Sequence, residues 1–261
     1  MTRIVLVDGI VVDEAEAGVA PLERNSGVGA FEVLRTHDGT LPTLHLHLER
    51  LRRALVAMEI DCDPHVLAQE ATEAAGAIDG EARVDLRIER TKQAVTRTVV
   101  ASSFCPPDAL PVVSAATIRA ARVTADGYKR LAYGAHGGAI AAARRRGCSD
   151  ALLLDEDGYV REAATANVFS VVGTVLRTAE KGILLGVTRG MVLDLATSSG
   201  LTIEFAPHTI ESLGGSDEVF LTSAVRGIAM VNVIDGHSIG AGTYALAGAL
   251  RHQLDASLRR K

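Results

Sequence analysis

Gly158-Tyr159-Val160-Arg161-Glu162-Ala163-Ala164-Thr165-Ala166-Asn167-Val168-Phe169 is the stretch on which the reading of this chain turns. The run Asp155-Glu156-Asp157-Gly158 that leads into it reads as a turn, and the β-branched run over 168–172 that leaves it reads as a strand. Between them stand one charged pair, Arg161 and Glu162, and a set of small residues that let a flat ligand approach the backbone. A carboxylate in that setting can pair with a pyridinium nitrogen and keep it protonated. The plainer alternative is that Glu162 pairs with a surface arginine.

Working outward towards the C-terminus, 174–177 reads as a strand, and Leu185-Gly186-Val187-Thr188-Arg189 opens a helix over 188–198 that Gly200 stops. Free N–H groups and the helix dipole make that opening a candidate phosphate cup, with the Thr188 hydroxyl as a further donor. An ordinary threonine cap is the competing reading. No Gly-Lys-Ser/Thr follows, so a nucleoside-triphosphate loop is excluded. Further strands are expected over 201–206, 218–222 and 228–234.

Towards the N-terminus the pattern gives a strand over 150–154, a helix over 130–146 and a strand-like run over 117–123. Cys105-Pro106-Pro107-Asp108-Ala109-Leu110-Pro111 holds three of the seven prolines and marks a linker between there and Lys129. The expected domains are therefore 1–115 and 121–261. In the first, Asp8-Gly9 joins strands over 3–7 and 10–12, and a strand over 31–35 precedes a turn at His37-Asp38-Gly39. Leu44, Leu48, Leu51, Leu55 and Met58 recur at helical spacing, which predicts an amphipathic helix over 45–59. A second helix over 64–77 and strands over 83–90 and 96–102 follow. The mixture is α+β in two domains rather than regular βαβ alternation. Arg50 lies beside the apolar stripe of the first helix, where it can reach an anion or simply snorkel.

The chain has four lysines, Lys92, Lys129, Lys181 and Lys261, against 27 lysines and arginines in all. A lysine that forms a Schiff base must shed its proton, which arginine cannot do near neutral pH. Lys261 is terminal, and Lys92 and Lys181 fall in turns. Lys129 stands at a junction between a strand-like run and a helix, although an isolated lysine is more often a solvated surface residue.

Composition removes other classes. The net charge of -5, 3% aromatics and no tryptophan argue against nucleic-acid binding. No stretch approaches 18 uninterrupted apolar residues, and no leader peptide is visible, so no membrane partner is expected. Cys62, Cys105 and Cys148 are few and scattered, which fits a reducing cytoplasm and gives no disulfide framework. His45 and His47 point apart on a helix, so no metal is expected. Gly27-Val28-Gly29 lacks the third glycine of a dinucleotide fingerprint, with Glu32 in its place. Ser26, Ser102 and Ser103 have no nucleophile-elbow context.

Taken in order, these pieces resemble the class IV aminotransferases, the fold-type IV pyridoxal-phosphate enzymes. Gly29-Ala30-Phe31-Glu32-Val33-Leu34-Arg35 resembles the early Gly-x-Phe-Glu strand, and His47-Leu48-Glu49-Arg50-Leu51 the helix whose arginine binds cofactor phosphate. Lys129 to Tyr133 resembles the lysine segment, and Gly158 to Phe169 the Gly-x-x-x-Glu…Asn-x-Phe segment. Gly186-Val187-Thr188-Arg189 resembles the phosphate cup, and Asp217 to Phe220 with Thr222-Ser223-Ala224 the last cofactor loop. The chain departs from the family pattern at Val28, Leu185 and Ala224.

The resemblance implies a small N-terminal α/β domain and a larger C-terminal β-rich domain with pyridoxal 5'-phosphate at their interface. Lys129 would hold the cofactor as a Schiff base and act as the base. Arg50, Tyr133, Glu162, Asn167, Gly186, Val187, Thr188, Ser223 and Ala224 would bind the cofactor. Phe31, Val33 and either Arg87 or Arg90 would meet an amino-acid or keto-acid substrate. A homodimer is implied as well. Val33 occupies a position where lyases of the family usually carry threonine and branched-chain enzymes glycine, which favours a transaminase. The alternatives are an aminodeoxychorismate lyase and a catalytically silent homologue that binds a phosphorylated ligand.

Overall fold

The computed structural model describes residues 2–13, 28–92, 94–107, 111–119, 127–131 and 134–259. The chain divides into two compact units. One comprises Met1–Pro106, Tyr128–Gly134 and Leu258–Lys261, and the other Pro107–Gly127 and Ala135–Ser257. The limits differ from those expected at 1–115 and 121–261. Residues 112–119 form a strand in the second unit's sheet, and the Lys129 segment returns to the first unit.

In the first unit, β1 (Arg3–Val7) and β2 (Ile10–Val12) form a hairpin. Its two turn residues, Asp8 and Gly9, have φ of 50° and 82°, the positive pair that matches the natural twist of a two-residue hairpin. With β3 (Val28–Arg35), β4 (Ala82–Arg90) and β5 (Val95–Ser103) they make an antiparallel sheet in the order β2-β1-β5-β4-β3. The helix α1 (Leu44–Ala57) buries the expected stripe of Leu48, Leu51 and Leu55, and also His47 and Arg50. The next helix, α2 (Pro64–Gly76), starts with proline in its first turn behind Asp63, whose carboxylate accepts the His65 N–H. On β4, Val84, Leu86 and Ile88 are fully buried at period two.

Strand β3 ends this sheet, so its outer edge has unpaired backbone groups. The Lys129 segment satisfies two of them. The Phe31 N–H donates to Lys129 O at 2.9 Å, and the Leu131 N–H donates to Gly29 O at 3.0 Å. Ala30 and Arg130 thereby form an antiparallel bridge. The helix expected over 130–146 therefore begins later, as α3 (Gly134–Arg145), because the backbone at 129–131 is used in the sheet.

The second unit contains β6 (Val112–Arg119), β7 (Asp150–Leu154), β8 (Val160–Ala163), β9 (Asn167–Val172), β10 (Val175–Thr178), β11 (Thr202–Phe205), β12 (Glu218–Ser223), β13 (Gly227–Ile234) and the short β14 (His237–Ser238). These build a sheet in the order β11-β10-β9-β12-β13-β6-β7-β8, closed by a β8–β9 pairing, with β14 on β13. Parallel pairs (β6–β7, β6–β13, β10–β11) mix with antiparallel ones. Ala139, Ile140 and Ala143 of α3 pack on Ala116, Ala151 and Leu153 of the sheet. Phe169 and Phe220 stack at 5.1 Å between centroids. The helices α4 (Val187–Ser198), α5 (Ile210–Gly214) and α6 (Ala245–Arg259), the last as far as Ser257, complete the unit. The sequence reading did not single out β8 as a strand and did not foresee α6. No helix among the described residues is long and apolar enough to cross a membrane.

Candidate active site

In the first unit the site begins with Lys129, placed by its pairing with β3. Its Nζ lies 5.1 Å from the centroid of the Phe31 ring. Burial pushes the ammonium down to about 8; the Glu32 carboxylate pulls the other way, and the Arg50 guanidinium adds to the lowering. A lysine so held has a neutral fraction at neutral pH far above that of a surface lysine.

Strand alternation puts Glu32 on the face next to α1. Its carboxylate accepts from Arg50 Nε at 2.7 Å and Arg50 Nη2 at 2.5 Å, a bidentate pair. It also accepts from His47 Nδ1 at 2.7 Å, so the His47 proton sits on Nδ1. Burial acts to raise the Glu32 carboxyl, but Arg50 and His47 outweigh it and hold it well below the usual carboxylate range. Burial drives His47 down, which keeps its ring neutral; its Nε2 has no hydrogen-bond partner among the described residues. The sequence reading quoted Glu32 and His47 within motifs but assigned neither. The signal was their spacing: β3 alternation and a helical turn place Glu32 opposite His47 and Arg50.

Phe31 and Val33 are buried neighbours on one face of β3. Arg87 stands directly opposite Phe31 in the β3–β4 register and is buried. Arg90 is three residues further, opposite Val28, and donates to Met58 O and Glu59 O at 3.1 and 3.2 Å, at the end of α1. Tyr133 lies outside the described residues.

In the second unit a row of directly opposed residues crosses the sheet: Leu153, Glu162, Asn167 and Thr222. Glu162 and Asn167 grip the segment leading to α4. Glu162 Oε2 accepts the Leu184 N–H at 2.9 Å, and Asn167 Nδ2 donates to Leu184 O at 2.7 Å. His136, in the first turn of α3, brings Nε2 to 3.9 Å from Glu162 Oε1. No motif in the sequence pointed to His136.

Gly186 caps α4 and makes no side-chain cap bond, so Val187 and Thr188 begin the helix with first-turn N–H groups that no capping side chain takes. A Cβ on Gly186 would lie 2.2 Å from Asn167 Oδ1, so glycine is required for this approach. Thr188 is buried beside it. Arg189 turns away, donating to Ala179 O at 2.8 Å and lying 5.8 Å from the Phe205 ring centroid. Ser223 ends β12, and Ala224 opens the turn into β13; Ser223 Oγ accepts the Arg226 N–H at 3.3 Å. The structure thus brings Glu162, Asn167 and Gly186 together and sets Lys129 and Arg87 on opposite sides of Phe31 across β3.

The comparisons with known proteins agree along nearly the whole chain. The family model for amino-transferase class IV matches residues 29–234. D-alanine aminotransferase of Bacillus licheniformis is 30% identical over 260 residues, covering 91% of this chain and 90% of that protein. Aminodeoxychorismate lyase of Bacillus subtilis is 28% identical over 272 residues, covering 95% and 92%. The crystal structure of a branched-chain aminotransferase from the thermophilic archaeon Thermoproteus uzoniensis with norvaline superposes with a TM-score of 0.83 at 26% identity, covering 98% of this chain and 93% of that one. The architecture is that of the fold-type IV transaminases. Enzymes of this family work with pyridoxal phosphate. With a family match over most of its length and a relative at 30% identity across nine-tenths of it, the chain belongs to the class IV aminotransferases.

Proposed function

We propose that this chain is a pyridoxal-phosphate-dependent transaminase that moves an amino group between an amino acid and a 2-keto acid, with Lys129 as its catalytic residue. The observation that carries this reading is Lys129 itself, half-buried beside Phe31 with its ammonium lowered to about 8. The residues present fit the cofactor: an amine that readily loses its proton, a buried carboxylate at Glu162, and a helix start with Gly186 where a side chain would collide. Pyridoxal phosphate, when bound, supplies an aldehyde that condenses with amines and a ring that withdraws electrons from the α-carbon.

Lys129 would hold the group and, once displaced by the substrate amine, would as a neutral amine take the proton from the substrate α-carbon. Glu162 would hold a ring nitrogen of the bound group protonated; the Leu184 N–H fixes its carboxylate through Oε2. Asn167 holds the approach to α4 by its bond to Leu184 O. Val187, Thr188, Ser223, Ala224 and Arg50 would hold the phosphate, the first four largely through N–H and hydroxyl donors. Arg50 also stays paired with Glu32, which supports its charge in a buried place. For the substrate carboxylate, the position opposite Phe31 favours Arg87 over Arg90, which is occupied at the end of α1. Tyr133 remains part of the proposed cofactor set on the strength of its motif. A homodimer in the cytoplasm belongs to the same reading, and sedimentation of the purified protein tests the dimer.

A second reading, aminodeoxychorismate lyase, is favoured by the Bacillus subtilis relative. Buried Val33 on the Phe31 strand counts for the transaminase, since a lyase of this family usually places a threonine hydroxyl there. The test is a screen of D- and L-amino donors against several keto acids, beside an assay of pyruvate release from aminodeoxychorismate without an acceptor. Amino transfer to a keto acid is expected. Pyruvate release with no transfer to any keto acid would overturn the transaminase reading.

A further inference from the structure

Arg226 sits in the turn between β12 and β13, next to the Ser223–Ala224 pair, and none of the motifs assigns it a role. Three sets of bonds fix this turn. Inside it, Ser223 Oγ accepts the Arg226 N–H at 3.3 Å, which uses the oxygen as an acceptor and leaves the hydroxyl proton to donate outward. Behind it, Arg251, itself buried, donates from Nη1 to Arg226 O at 3.1 Å and to Ile228 O at 2.8 Å. Across from it, Arg226 Nη2 reaches both Asp150 Oδ2 at 2.5 Å and Thr165 Oγ1 at 2.9 Å.

The last set has a direction. Asp150 is buried at the start of β7; its other oxygen accepts the Ala151 N–H at 2.8 Å. Thr165 donates to Asp150 Oδ2, the oxygen that Arg226 reaches, at 3.2 Å, and it lies in the tight turn between β8 and β9, where the Ala163 N–H donates to Ala166 O. That turn separates Glu162 from Asn167. The guanidinium therefore ties the turn carrying Ser223 and Ala224 to the turn carrying the Glu162 and Asn167 ends of their strands. Its positive charge is balanced by Asp150, so it acts as a strut between two loops.

We propose that Arg226 is a positioning residue that, through Asp150 and Thr165, holds the β12–β13 turn in the conformation that receives a phosphate group, at a fixed separation from Glu162. The inference rests on the proposed cofactor-binding role of this unit. A strut of this kind matters to a ligand with a phosphate and much less to the same ligand without one. Both bonds across the gap come from a single nitrogen, so a lysine ammonium can make them too.

The experiment uses the full chain freed of cofactor and titrates it with pyridoxal phosphate and with pyridoxal, following absorbance and fluorescence. The variants are R226A, R226K and the double variant D150N/R226A, which avoids leaving a buried carboxylate alone; apoprotein melting is recorded for each. Expected are a tenfold or greater rise in the Kd for pyridoxal phosphate in R226A and in the double variant, a change of about twofold or less for pyridoxal, and recovery of most of the loss in R226K. Equal losses for both ligands, or wild-type affinity for pyridoxal phosphate in the double variant, would overturn the strut. Failure of the unaltered protein to bind pyridoxal phosphate at all would instead overturn the functional reading on which it rests.

Discussion

Beside Lys129, three titratable side chains, Glu32, His47 and Arg50, are buried together, with His47 and Arg50 both bonded to Glu32. At the head of α4 in the other unit, the groups offered to a ligand are mostly backbone N–H, with Glu162 and Asn167 bonded to the backbone of Leu184. The first arrangement sets charge: it holds Glu32 ionised and His47 neutral. The second sets shape: Gly186 admits Asn167 where no Cβ would fit. The contrast teaches that the first unit sets electrostatics with side chains and the second sets anion geometry with the main chain, and that the two respond differently to mutation.

The largest expected effect separates them by stability. E32Q leaves Arg50 buried without its bidentate carboxylate, and urea denaturation should show a loss of about 3–5 kcal/mol. E162Q keeps an oxygen that can accept the Leu184 N–H, so its loss should be about 1 kcal/mol while turnover falls. Comparable losses of stability in the two variants would break the distinction. Next comes shape alone. G186A forces Asn167 aside, at a cost of about 1–3 kcal/mol, which, borne by the bound conformation, corresponds to a loss of roughly 5- to 150-fold in affinity for pyridoxal phosphate. An unchanged affinity would show that the close approach at α4 does not shape the phosphate site.

The smallest effect sharpens the electrostatic side. The Lys129 pKa is about 8 in the folded chain against an ordinary value of 10.5. Between those values the unfolded chain binds more protons, so stability rises with pH there. Below about pH 8 the folded protein carries the full penalty of a charged, desolvated ammonium. K129M removes that penalty. It should melt above the unaltered apoprotein at pH 7, with the gap narrowing as the pH climbs from 8 towards 10.5. A gap that is constant over this range would show that burial does not depress Lys129.

Much of this was legible because the residues that decide it repeat with the period of their element. The leucine stripe of α1 predicted the helix, and the order of Arg50, Lys129, Glu162 and Thr188 predicted the family. The return of the Lys129 backbone to the edge of β3 was not legible, since an edge is satisfied by whichever segment folds back on it and local sequence carries no trace of that pairing. Helix α6 did leave a signal: Ala247, Leu250, Leu254 and Leu258 are buried at helical spacing. His136 left none, because its approach to Glu162 depends on where α3 starts. Arg87 and Arg90 were indistinguishable as charges on one strand. Register alone placed Arg87 opposite Phe31 and Arg90 at the end of α1.

The most direct test of the account is where the cofactor attaches. The purified protein loaded with pyridoxal phosphate is reduced with borohydride, digested, and its peptides mapped by mass spectrometry. The account predicts one phosphopyridoxyl group, on Lys129, with an attachment rate in the apoprotein that rises with pH to a plateau above about 8. A label on Lys92, Lys181 or Lys261 instead, or an equal label in K129A, would contradict it.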